Sequence, residues 1–145
     1  EINILQADYR AMKRAIAAMK TKPQFVIGDA VKIPDLGIDQ NPLVKADAKV
    51  AAVAAASIIA KVTRDYIMRV YDSVVPEYGF AKHKAYGTKA HYEAIEKYGI
   101  LPIHRRTFLQ KRIEAGKLVA KEREVAFEDP NQIMNDFLRQ YGLPD

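Results

Sequence analysis

The sequence contains no cysteine, which excludes disulfide scaffolds, thiolate-held zinc or iron–sulfur centres and cysteine nucleophiles. Any metal must therefore sit on oxygen or imidazole. A long apolar run is also lacking. The most apolar stretch, Val50 to Ala60, spans 11 residues, is mostly alanine and ends at Lys61, well short of the roughly 20 residues of a membrane span. There is no glycine-rich phosphate loop, internal repeat or coiled-coil heptad. The opening Glu1-Ile2-Asn3-Ile4-Leu5-Gln6 has neither the basic start nor the apolar core of a signal peptide. These absences predict a soluble, cytoplasmic protein without membrane contact, and the start at Glu1 reads as that of a fragment.

What is present is an ordinary globular mixture. Apolar residues make up 49% and charged residues 28% of 145, the size and composition of a chain that folds around one core. The net charge of +5 is unevenly placed. Residues 1–79 carry 11 basic and 9 acidic side chains, residues 80–124 carry 11 and 5, and residues 125–145 carry 1 and 4. The basic segment also holds His83, His91 and His104, interleaved with Tyr86, Tyr92, Tyr98 and Phe108. That pattern points to a polyanion such as nucleic acid, with a merely solvated helical surface as the alternative.

Helical spacing of Ile2, Leu5, Tyr9, Met12, Ile16 and Met19 predicts a first amphipathic helix, opened by Asn3 with Gln6 and closed before Pro23. Gln24 to Gly28 is β-prone and predicts a buried strand delivering Asp29 at its carboxyl end. Ala30 to Pro42 reads as loop, with a short extended piece at Leu43-Val44-Lys45. A long helix is expected from Ala48 to about Val75, its small-residue first half packed on the sheet. Its buried face would hold Ile59, Val62, Tyr66, Val70 and Val74, with Asp65 and Arg69 paired on the other. After a loop from Phe80 to Gly87, Thr88 should cap a helix to Tyr98, with Gly99 as its left-handed C-cap. Further helices are expected from about Phe108 to Val125, and from Asp129-Pro130-Asn131-Gln132 onward with Ile133, Phe137 and Tyr141 as its apolar stripe. One or two short strands make a marginal sheet alone, so strands are missing or supplied elsewhere.

Without thiols or a phosphate loop, the plausible chemistries are carboxylate-and-metal hydrolysis and histidine acid–base work. Asp29 after a strand and Asp47 before a helix occupy positions where α/β folds present site residues, and two converging carboxylates suit Mg²⁺ or Mn²⁺. The plain alternatives are a turn residue for Asp29 and a helix N-cap for Asp47. In Lys82-His83-Lys84-Ala85-Tyr86-Gly87-Thr88, two lysines can neutralise phosphates while Tyr86 offers a ring for stacking. Arg105 and Arg106 add guanidiniums suited to bidentate phosphate contact. A basic surface loop is the alternative reading, and His91, inside a helix, is expected to pack or cap.

Several motifs in order carry a family resemblance: Asn3-Ile4-Leu5-Gln6-Ala7, Ala11-Met12-Lys13-Arg14-Ala15, Val44-Lys45-Ala46-Asp47, Ala54 to Asp65, Tyr78 to Thr88, and His104-Arg105-Arg106-Thr107-Phe108. The chain resembles type 2 ribonuclease H, the ribonuclease HII family, from residue 1 to about 108. The resemblance implies an RNase H-like α/β fold, of which this is a helix-rich C-terminal portion: residues 1–108 as the C-terminal two-thirds of the catalytic domain, 109–145 as its helical extension. It implies an endonuclease of DNA replication and repair, cleaving the RNA strand of RNA–DNA hybrids, and single ribonucleotides in DNA, by two-metal hydrolysis with Mg²⁺ or Mn²⁺ on four carboxylates. By motif position Asp29 is the third and Asp47 the fourth, each a catalytic and metal-ligating candidate. The first two belong to a leading Asp-Glu motif absent here, so the fragment alone is expected to be inactive unless that segment acts in trans. Lys82, Lys84, Arg105 and Arg106 are expected on the phosphate backbone, and Tyr86 on the sugar of the RNA–DNA junction. The sequence departs from the family pattern where Ala30-Val31, Ala46 and Ala85 replace residues that include glycine, and alanine tolerates positive φ poorly. The rival readings are a non-catalytic nucleic-acid-binding module and a subunit whose partner chain supplies the remaining strands.

Overall fold

Asn3 opens the first helix as its spacing predicts: its side chain accepts the Gln6 N–H at 3.0 Å, capping α1, Ile4–Ala18. The computed structural model describes residues 3–140, so Ile2 and Tyr141 of the expected stripes lie outside the described residues. Two compact units meet in sequence between Ala60 and Lys61. In the first, Tyr9 and Ile16 of α1 are half-buried, while Leu5, Met12 and Met19 stay exposed.

Strand β1, Phe25–Asp29, includes Asp29 as its last residue and is half-buried at its centre rather than buried throughout. It pairs in parallel with β2, Asp39–Leu43, Phe25 opposite Asp39 and Gly28 opposite Pro42. This second strand lies earlier than expected and runs through a proline. Pro42 donates no hydrogen bond, which an edge strand tolerates and a local reading takes for a loop. The intervening loop is clamped by Gln40, whose side-chain amide accepts from the Ile33 N–H at 2.8 Å and donates to the Ile33 carbonyl at 2.9 Å.

Helix α2, Ala51–Val74, is largely exposed along its first half, with Val53 and Ala54 half-buried and Ile58 and Ile59 uncovered. The expected tight packing of that half on the sheet is not observed. Of the expected face, Tyr66 and Val70 are half-buried against the core while Ile59, Val62 and Val74 are exposed, and the fully buried positions are Met68, Tyr71 and the following Val75. On its charged face Asp65 pairs with Lys61 rather than Arg69. That contact holds the Asp65 carboxyl below its usual range.

A 3₁₀ turn at Pro76–Tyr78 leads into α3, Phe80–His83, a single helical turn inside the expected loop. Thr88 caps α4, Lys89–Tyr98, and Gly99 follows with φ 102°, positive but outside the left-handed helical region. Helix α5, Arg106–Glu114, ends well before Val125 because Gly116, with φ 66°, turns the chain out. The segment beyond runs extended and joins Ile100 in a parallel bridge, the Ile100 N–H reaching the Lys121 carbonyl at 2.7 Å. Helix α6, Pro130–Gln140, begins after Asp129, whose carboxylate accepts from the Asn131 N–H at 2.7 Å. Gln132 reaches forward to Asp136 instead of back over the cap.

The second unit has the larger core. Tyr78, Phe80, Ile95, Leu101 and Val75 are fully buried, and Leu118 and Ile133 from the tail join them. The Tyr78 hydroxyl donates to the Gly99 carbonyl at 2.7 Å, and Tyr71 donates to the Glu128 carbonyl at 3.3 Å. Residues 110–140 therefore complete this core. Among the described residues no helix is long and apolar enough to cross a membrane.

Candidate functional site

The end of β1 and the start of the next turn meet through a carboxylate. Asp29 Oδ1 accepts the backbone N–H of Ala46 at 3.1 Å, and the adjoining Ala30 N–H reaches the Leu43 carbonyl at 3.1 Å. Asp47 follows Ala46 directly, in a 3₁₀ turn at Ala46–Ala48. Its own Oδ1 accepts from the Ala48 N–H at 2.9 Å. The two candidate carboxylates are thus brought to one corner of the first unit, both exposed. Asp47 does not cap α2, which begins four residues later at Ala51.

This corner offers oxygen donors of the kind a hard divalent cation prefers. In number it falls short: among the described residues no three His, Cys, Asp or Glu side chains gather where they could hold a metal ion. Two carboxylates and backbone oxygens leave most of an octahedral shell to water or to other groups.

Backbone strain falls at two of the three positions where alanine departs from the family pattern. Ala30 has φ 56° and Ala85 φ 59°, both left-handed; Ala46 does not, and the positive angle falls instead on Lys45 at φ 55°. Each such angle costs a non-glycine residue about 1–2 kcal/mol. Ala30 is exposed, so Ala30→Gly loses little packing. It is expected to raise stability by about 1 kcal/mol, roughly 3 °C in thermal midpoint for a chain of this size. Differential scanning calorimetry checks this, and an unchanged or lower midpoint overturns it.

The basic loop is built around consecutive left-handed residues, Lys84 and Ala85, at φ 52° and 59°. It is closed by the Tyr86 N–H on the His83 carbonyl at 2.9 Å and the Thr88 N–H on the Tyr86 carbonyl at 2.7 Å. The result projects the Tyr86 ring outward, 61% exposed. Lys82 is exposed, whereas the Lys84 ammonium turns back to the Ala81 carbonyl. Arg105 lies over the Phe108 ring at 4.3 Å, and Arg106 pairs with Glu122. Of the four cations singled out in the sequence, Lys82 and Arg105 are the better presented to a phosphate backbone.

Arg64 escapes a reading by motif, while Phe108 is one of the aromatics interleaved in the basic segment. Arg64 on α2 places its guanidinium 5.2 Å from the Tyr86 ring centre, adding charge and a stacking face to the same spot. Phe108 is exposed beneath Arg105 and forms a second aromatic–guanidinium pair. The i,i+4 pattern around Arg64 gives no hint of this contact, because Tyr86 arrives from another element. His91 is buried, as its place inside a helix predicts.

Comparison with known proteins places this geometry in context. The ribonuclease HII family model matches residues 2–111. Ribonuclease HII of Clostridioides difficile is 62% identical over 110 residues, covering 76% of this chain and 43% of that protein. Ribonuclease HII of Caldanaerobacter subterraneus is 56% identical over 111 residues, covering 77% and 46%, and that of Aliivibrio salmonicida is 53% identical over 108 residues, covering 74% and 52%. The chain spans about half the length of the curated relatives it matches.

Proposed function

The chain belongs to the ribonuclease HII family, and from that premise we propose that it contributes the Asp29–Asp47 part of an endoribonuclease site. Its helices and two-stranded parallel sheet are consistent with an RNase H-like α/β fold. The proposed substrates are RNA–DNA hybrids and DNA duplexes with embedded ribonucleotides. We read residues 1–108 as the C-terminal two-thirds of the catalytic domain and 109–145 as its extension.

The observation that carries the reading is the Asp29–Ala46 hydrogen bond, which draws the end of β1 to the turn presenting Asp47. When bound, Mg²⁺ or Mn²⁺ would neutralise phosphate charge and lower the pKa of a hydrolytic water. Asp29 and Asp47 would hold such ions jointly with the two further carboxylates that the resemblance implies. Lys82 and Arg105 would hold the phosphate backbone, Lys84 and Arg106 after leaving Ala81 and Glu122, and the Tyr86 ring would pack on the junction sugar. Exposed apolar side chains in the first unit, Phe25, Val44, Ile58 and Ile59 among them, support a reading in which further chain covers it.

The test is a duplex carrying a single ribonucleotide, incubated with this chain and Mg²⁺ or Mn²⁺. Two carboxylates hold hard cations poorly, so the expected result is binding with at most trace cleavage, and robust cutting overturns the account of the site. Supplying the family's Asp-Glu segment should then raise cleavage, and Asp29→Asn should return it to background with binding kept. Asparagine still accepts the Ala46 N–H, so that substitution removes charge and leaves the hydrogen bond. The second reading, a binding module without catalysis, is favoured by the hydrogen bonds that give both aspartates structural tasks. Unchanged cleavage in Asp29→Asn would support it.

A further inference from the structure

The histidines of the basic segment have no task in the reading above, and two of them form a hydrogen-bonded line that ends on the backbone of Tyr86. His91 of α4 is buried and His104, in the connector before α5, is half-buried. Their Nε2 atoms face each other at 3.0 Å, so one donates and the other accepts. The direction is set at the far end. The Leu101 N–H donates to His104 Nδ1 at 2.9 Å, which puts the proton of a neutral His104 on Nε2. That N–H donates to His91 Nε2, so the proton of His91 sits on Nδ1, where it donates to the Tyr86 carbonyl at 3.0 Å.

Only two neutral rings in this tautomer order satisfy all three bonds. A proton added to either ring sets N–H against N–H. The surroundings keep both neutral. Burial, with His91 adjacent, holds His104 down to about 4, and burial, helped by the charge of His83, lowers His91 as well. The groups around the pair are His83 of α3, stacked on His91 at 4.7 Å; Phe80, edge-on to His91 at 5.6 Å and His104 at 6.0 Å; Tyr78, 5.8 Å from His104; and Tyr92 of α4, 6.3 Å from His91. Beyond Tyr92 lies the Arg112 guanidinium of α5, 3.9 Å over that ring. None of these is a carboxylate; the hydrogen bonds of the His91 ring to the backbone of Tyr86 and Ala85 favour imidazolium, and burial outweighs them.

The carbonyl at the end of the line belongs to the residue that follows the two left-handed positions Lys84 and Ala85. A turn strained at two successive residues keeps its shape only when its surroundings over-determine it. We propose that the line Leu101–His104–His91–Tyr86 is a positioning device, with His91 and His104 holding the Lys84-Ala85-Tyr86 turn so that the Tyr86 ring faces a nucleic-acid sugar. It rests on the reading of Tyr86 given above. Neither histidine touches substrate, so both are positioning residues.

The experiment uses the ¹⁵N,¹³C-labelled chain. At pH 7, ring ¹⁵N–¹H correlations should show the Nδ1–H form of His91 and the Nε2–H form of His104, and any other pair of forms overturns the proposal. As pH falls, the Tyr86 and Gly87 amide signals should move with the midpoints of His91 and His104, both below the ordinary histidine value and that of His104 near 4. Independent midpoints overturn it. Binding of a single-ribonucleotide duplex is then compared with an all-DNA duplex by fluorescence anisotropy. His91→Phe should lower the preference about fivefold, the effect of one ordinary hydrogen bond, with all-DNA affinity kept. His91→Asn, which restores an N–H donor near Nδ1, should recover most of it. A folded His91→Phe with unchanged preference defeats the device while a loss in Tyr86→Ala leaves the reading of Tyr86 standing. Preference retained in Tyr86→Ala defeats that reading instead, and the ring tautomers and the Tyr86 carbonyl ¹³C shift in His91→Phe then decide the hydrogen-bonded line by themselves.

Discussion

Phe80→Ala is expected to lower stability by about 3–5 kcal/mol, the range for emptying a fully buried aromatic site. Phe80 is 0% exposed, lies nearly parallel to Tyr78 with ring centres 5.6 Å apart, and meets His83, His91 and His104 edge-on. Its ring meets all three histidines, so the cavity would open beside the line of hydrogen bonds ending on Tyr86. The loss should appear in urea unfolding as a lower midpoint with the slope kept, and in faster amide exchange at residues 84–87. The comparison is Phe108→Ala, whose ring is 58% exposed and whose removal should change stability by less than about 0.5 kcal/mol. A loss below about 1 kcal/mol for Phe80→Ala would show that the second unit does not depend on this ring.

Gly28→Ala should damage the first unit by overpacking. A Cβ at Gly28 would stand 2.3 Å from the Val31 carbonyl oxygen, and that atom is backbone, so relief requires the loop after β1 to move. The loop has little slack: Ala30 is held at φ 56° with its N–H on the Leu43 carbonyl. The expected cost is about 2–3 kcal/mol, concentrated in residues 1–60. Because Asp29 adjoins the displaced residue, its bond to the Ala46 N–H should weaken too, which hydrogen exchange at Ala46 reads directly. Wild-type stability with an unchanged Ala46 exchange rate would sink this account. In an assay where the site is complete, the same substitution should reduce cleavage more than binding, since Lys82, Tyr86 and Arg105 lie in the other unit.

The sequence was legible where the signal lies within a few residues of its effect. Asn3 with Gln6, Thr88 with His91, and Asp129 before Pro130 each place a cap beside the N–H it receives. Asp29 at a strand end was equally readable, because β-prone residues run up to it. The strand that pairs with it was not, since Pro42 looks like a breaker until a neighbour shows that its missing N–H is not needed. Helix α2 carries apolar residues on several faces, so composition could not say that Met68 and Tyr71 would be buried and Ile59 exposed. Asp65 had basic residues four positions away on either side, and only side-chain placement chose Lys61.

By itself the sequence determined the family resemblance, the capped helices, the basic segment, and the two aspartates and one tyrosine on which a function can be proposed. These follow from residue types and short spacings, which the chain carries whether or not it is folded. Tertiary structure decided the rest. Asp29 meets Ala46 across 17 residues, His91 meets His104 across 13, Glu77 pairs with Arg123 across 46, and Tyr71 reaches Glu128 across 57. Contacts at such separations have no local signature, because any exposed donor could meet any acceptor until the core fixes which elements adjoin. The left-handed angles at Ala30, Lys45 and Ala85 are of the same kind: local preference opposes them, and only the surrounding packing holds them in place.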